Sequence, residues 1–149
     1  MEFKSPLWKN IDIKQNHIFH GNINSSFFAF HINSFLQEHP HYNPYVLCSS
    51  QEIHAICSDI SRLNPNKQVL TFEGHDVSPY SNLLPNRTHA KKRLRFLARS
   101  LRPLGNEIFV IPAKHCIQLC LSKKLLEENL KIYKSGSELD ASFFEVLSD

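Results

Sequence analysis

"PYVLCSSQEIHAICSDISRLNPNKQVLTFEG", residues 44–74, carries the pattern from which the fold follows. Apolar and β-branched residues follow the breaker Pro44, so residues 44–50 are expected to form a buried strand. Ile53, Ile56, Ile60 and Leu63 then recur at helical spacing, which predicts a helix over 50–63 with Ser50 as its N-cap. The "NPN" at 64–66 ends it, and "QVLTFEG" (68–74) is a second strand stopped by Gly74. Strand, helix and strand in this rhythm imply parallel strands joined by a crossover.

The flanking chain continues the alternation. Downstream, a basic helix is expected from Thr88 to about Arg102, stopped by Pro103 and Gly105. "EIFVIP" (107–112) is the third strand, 113–129 a helix, 130–136 a fourth strand, and the last residues a closing helix capped by Asp140. Upstream, Phe28, Ile32, Phe35 and Leu36 give residues 25–39 one apolar helical face, and "HIFHGN" (17–22) supplies a short preceding strand. "YVLC", "VLTF" and "IFVI" are almost wholly apolar, as strands covered on both faces must be. The expectation is one α/β domain over residues 1–149, with a mainly parallel sheet between helical layers and residues 1–14 as an extension.

The 149 residues are enough to bury a core without disulfides. No apolar run reaches membrane-span length, and "MEFKSPLWKN" lacks the apolar centre of a secretory signal, so no membrane partner and a cytoplasmic location are expected. Cys48, Cys57, Cys116 and Cys120 are too few for a disulfide scaffold and lack zinc-ligand spacing, so they are read as buried thiols rather than metal ligands. His39 and His41 flank Pro40 and are read as a loop. Net charge is +3, yet Arg87, Lys91, Lys92, Arg93, Arg95, Arg99 and Arg102 fall in one segment.

"HGNINSSFFAF" (20–30) lies between the short strand and the first helix, where a phosphate loop would sit. Counted from Gly21, it keeps the frame G-x-x-x-x-G-K-[ST]. Ser26 replaces the second glycine, Phe27 the lysine and Phe28 the magnesium-binding hydroxyl. Without the cation and the hydroxyl, phosphoryl transfer loses the groups that stabilise the transferring phosphate. Nor does an acidic pair follow "EIFVIP", which ends at Pro112. No catalytic residue, metal or cofactor is expected in this chain; Phe27 or Phe28 is expected to fill space that a nucleotide would occupy.

In the basic helix, Lys92, Arg95, Arg99 and Arg102 are spaced to form one stripe, with Leu94, Leu97, Ala98 and Leu101 opposed to it. Such a stripe suits DNA phosphates, an acidic protein surface, or plain solvation. No base-reading motif accompanies it.

The second half of the chain resembles the N-terminal module of the bacterial transcription-repair coupling factor family. The residues that carry the resemblance are Asp76, Pro79, Tyr80 and Pro85, then the pair Arg93 and Leu94. Ile111 and Pro112 follow at a strand end, Gln118 comes six positions on, and Lys134, Gly136 and Leu139 make a turn before a leucine-led helix. The likeness covers roughly residues 15–149. It departs at Val77, where an aromatic is common, and in the unusually basic helix after Pro85.

The resemblance implies a RecA/P-loop-like fold, similar to the first part of the repair helicase UvrB, with a decayed phosphate loop. It further implies that the chain is an N-terminal fragment of a large ATP-driven DNA translocase that displaces stalled RNA polymerase and recruits UvrA. ATP and Mg²⁺ would then bind only in the parent's motor domains. UvrA and RNA polymerase would bind outside this chain, and this portion would pack on the parent's later domains, with non-specific DNA contact as an option. A nucleotide-binding UvrB-like helicase domain and a standalone α/β interaction domain are the alternatives.

Overall fold

The computed structural model describes residues 24–75, 86–118, 120–130 and 136. Helix α1 runs Ser25–Glu38, strand β1 Tyr45–Cys48, helix α2 Ile53–Leu63, strand β2 Gln68–Thr71, helix α3 Arg87–Leu101, strand β3 Glu107–Pro112 and helix α4 Lys123–Asn129. The expected strand at 17–22, the loop 76–85, residues 131–135 of the expected fourth strand, the closing helix and the extension 1–14 lie outside the described residues.

β3 is the central strand and pairs in parallel with both neighbours, giving the order β1-β3-β2. Tyr45 lies opposite Phe109 and Cys48 opposite Pro112; Gln68 lies opposite Glu107 and Thr71 opposite Val110. The most apolar strand takes the middle place because it must be covered on both faces: Ile108, Phe109 and Val110 have no exposed surface.

Alternation along the strands separates two packing layers. Ile108, Val110, Val46 and Cys48 face α1 and α2, where they meet Ala29, Ile32, Phe35, Ile56 and Ile60. Phe109, Leu70 and Phe72 face α3 and pack on Phe96, with Leu97 and Ile111 at the margin. This is an α/β architecture with a small parallel sheet between helical layers, as the alternation of strand and helix predicts.

Local chemistry moves several boundaries. Ser50 does not cap α2, which begins at Ile53 with Glu52 as its N-cap residue; the Ser49 hydroxyl instead donates to Glu52 Oε2 at 2.8 Å. α3 starts at Arg87 because the Asn86 side chain accepts from Thr88 N at 2.8 Å. The helix expected over 113–129 is broken. A single 3₁₀ turn spans Ala113–His115, and α4 starts afresh after Ser122, whose hydroxyl accepts from Leu125 N. Between them Gln118 is held by groups from other elements, which a continuous helix would carry past them.

Candidate functional site

Beyond the carboxyl ends of β2 and β3, two connections meet. This is where parallel α/β sheets usually present their functional groups. His115 Nδ1 lies within 3.3 Å of Phe72 O. A Cβ added at Gly74 would come within 2.5 Å of His115 Nε2, so any other residue there would push the His115 ring from its place. Gln118 Oε1 accepts from His75 N at 3.0 Å and from Arg93 Nη1 at 3.4 Å.

Arg93 is buried on the inner face of α3. Its guanidinium carbon lies 4.9 Å from the Phe72 ring centroid, a cation–π geometry, and Nη2 donates to Cys120 Sγ at 3.6 Å. Arg93 and Gln118, both carried by the sequence resemblance, are thus brought together. Their partners lie within the fold, so the pair ties α3 to the connections after β2 and β3. Leu94 is half-exposed, Pro112 is buried at the end of β3, and Gly136 has φ +87°, the left-handed conformation that favours glycine. Asp76, Pro79, Tyr80, Pro85, Lys134 and Leu139 lie outside the described residues.

The expected stripe of four free cations is not what the fold presents. Arg99 turns inward and its Nη2 pairs with Glu107 Oε1 at 2.6 Å. The Glu107 carboxylate has no exposed surface and also accepts from the backbone N–H groups of Leu104, Gly105 and Asn106. Lys92 pairs with Glu73 at 3.3 Å. Leu94, expected on the covered face, is 48% exposed, whereas Arg93 is only 9% exposed. The inner face follows Phe96 and Arg93, which rotates the helix away from the orientation its leucines predict.

Arg95 and Arg102 remain exposed, joined on the same outer face by Arg87 and Lys91. At 100° per residue Arg87, Lys91 and Arg95 fall within one arc of about 80°, and Arg102 follows as the C-cap residue. No acidic partner to any of them is among the ion pairs of the described residues. Arg87, Lys91 and Arg95 recur at i, i+4 and i+8, a spacing visible in the sequence but outweighed there by the leucine pattern. Glu107 gave no sequence signal, because a glutamate at a strand end is ordinarily solvated.

Between α3 and α4 lies an open groove of about 650 Å³. Leu94 and Ala98 form one wall and Leu121, Leu125, Leu126 and Leu130 the other, with Arg95 at its edge. Leu121 and Leu125 are 45% and 46% exposed.

At the start of α1, Asn24 accepts from Ser26 N at 3.0 Å, and the Ser26 hydroxyl donates to Asp59 Oδ2 of α2 at 2.8 Å. Phe28 packs against the core cluster beneath α1 and α2. Phe27 is half-exposed and meets the His31 ring edge-on at 4.6 Å. Ser26 therefore serves both the helix start and an inter-helix tie, Phe28 packs against the core, and Phe27 contacts His31 from a half-exposed position. Gly21 lies outside the described residues.

The cysteines divide unevenly. Cys48 is buried, and burial, followed by the neighbouring Cys57 and Glu52, pushes its thiol up to about 11. Burial also raises Cys57, partly offset by its hydrogen bond to Thr71. Cys116 and Cys120 are exposed, which corrects the expectation of four buried thiols. Among the described residues, no group of three or more His, Cys, Asp or Glu side chains is placed to hold a metal ion, and no helix is long and apolar enough to cross a membrane. No family model, curated protein or solved structure matches the chain.

Proposed function

We propose that this chain is a catalytically silent module of the transcription-repair coupling factor kind, with a RecA/P-loop-like fold, that works as a cytoplasmic scaffold through protein and DNA contact. The observation that carries the reading is the Arg93–Gln118 hydrogen bond at 3.4 Å. Two positions singled out by the resemblance, far apart in sequence, meet and lock one helix to the carboxyl edge of the sheet. The packing of the partly buried Phe28 against the core supports the second half of the reading. A ring seated there supplies neither the hydroxyl that would hold Mg²⁺ nor, at Phe27, the cation that would neutralise a phosphate.

On this reading the parent protein supplies ATP and Mg²⁺ chemistry in its motor domains, displaces stalled RNA polymerase and recruits UvrA through other parts, and this module packs on its later domains. Two measurements test it. Titration calorimetry with ATP and Mg²⁺ is expected to give no heat of binding, and micromolar affinity would overturn the silent assignment in favour of a nucleotide-binding helicase domain. The coding sequence beyond Asp149 is expected to continue into an intact G-x-x-x-x-G-K-[ST] motor; a stop codon there would replace the coupling-factor reading with a standalone interaction domain.

A further inference from the structure

We propose that the outer face of α3, together with α4, is a docking site for an amphipathic helix that carries acidic residues beside its apolar ridge. The inference goes beyond the scaffold reading and stands whether or not the coupling-factor assignment holds.

Three observations select this occupant. The groove is open and lined mainly by leucines with Ala98, joined by Arg95 and Asn129, and Leu94, Leu121 and Leu125 are each close to half-exposed. A trough between two helices accepts side chains recurring at i, i+3 or i+4, and i+7, the spacing of one apolar helical ridge. On the α3 side, Arg95 lines the groove; Lys91 and Arg87 lie about one and two turns before it on the same helix face, and Arg102 is the exposed C-cap residue of α3. These cations have no acidic partner among the described ion pairs. On α4, Glu127 and Glu128 are answered by Lys123 and Lys124, so that helix adds little net charge.

The surface thus offers apolar contact and unanswered positive charge side by side. A nucleic-acid backbone would satisfy the charge but bring no apolar side chains to the leucines. An acidic amphipathic helix satisfies both: its carboxylates steer the encounter and set the orientation, while its ridge excludes water from the groove.

Fluorescence anisotropy on the full chain tests this, with a labelled peptide of about 16 residues carrying leucines at i, i+4, i+7 and i+11 flanked by glutamates. A scrambled peptide of the same composition and a duplex DNA serve as comparators. The expected result is micromolar binding of the patterned peptide alone. That binding weakens about tenfold on combined Lys91→Glu and Arg95→Glu, weakens about tenfold on Leu125→Glu, and falls as salt is raised. If Leu125→Glu lowers the melting temperature, Leu94→Glu on α3 reads the same contact from the other wall. Equal binding of the scrambled peptide, no binding of either, or indifference to both leucine substitutions would overturn the proposal. So would tight duplex binding that is lost on charge reversal but unaffected by Leu125→Glu, which would give the face to nucleic acid.

Discussion

The two faces of one three-stranded sheet are covered by different chemistry. Towards α1 and α2, Ile108 and Val110 meet a cluster of mostly aliphatic side chains from both helices. Towards α3, Phe109 shares its layer with rings: Tyr45 stacks on it at 4.7 Å and Phe96 meets it edge-on at 5.2 Å. The same layer contains charge, with Arg93 over Phe72 and the Arg99–Glu107 pair at its end. The first face is non-directional and is held by area removed from water. The second depends on a few oriented contacts, each with a defined partner. The proposed docking surface lies on the second side, where the groove between α3 and α4 is open and Arg95 lines it.

Breaking the comparison at its centre should cost most. Phe109→Ala removes the ring that Tyr45 and Phe96 both contact, and is expected to lower unfolding stability in urea by about 3–5 kcal/mol. Ile60→Ala on the other face should cost less than Phe109→Ala. A larger loss there would mean that the aliphatic layer dominates.

The next test separates the cations. Glu107→Ala leaves Arg99 and three backbone N–H groups without their acceptor, for an expected loss of roughly 3 kcal/mol. Arg95→Ala, on the outer face, should change stability by no more than about 0.5 kcal/mol. Equal effects of the two substitutions would erase the distinction between the inner and outer faces of α3.

The smallest effect concerns the thiols. Iodoacetamide at pH 8 should label Cys116 and Cys120 well before Cys48, because the thiolate reacts and burial holds the Cys48 thiol near 11. The linked stability term is present below the ordinary value of 9.0 and is lost as pH rises through about 11, since the folded protein disfavours the thiolate. Labelling of Cys48 at the rate of Cys116, followed by peptide mass, would show that its cover opens.

Legibility in the sequence followed periodicity. β3 occupies the predicted 107–112, and α1 and α2 bury Ile32, Phe35, Ile56 and Ile60 with Phe28 and Ile53 partly buried against them, because there the apolar period meets no competing polar partner. The orientation of α3 was not legible. Its leucines sit at core spacing, but Arg93 and Arg99 outcompete Leu94 for the interior, since Arg93 meets the half-buried Gln118 and Arg99 the buried Glu107. Those partners, Gln118 and Glu107, come from other parts of the chain. The break between Ala113 and Lys123 was hidden for the same reason: the hold on Gln118 comes from His75 and Arg93.

By itself, then, the order of residues determined the alternation of strand and helix, the central buried strand, and the absence of a lysine and hydroxyl at Phe27 and Phe28. Those properties belong to single segments, where local pattern and side-chain chemistry suffice. Only the tertiary structure decided which cations of α3 face solvent, that Phe28 rather than Phe27 packs into the core, and that an open leucine groove lies beside the unpaired charges. Each of these depends on what another element brings to the contact, and a buried arginine is tolerated only where such a partner waits for it.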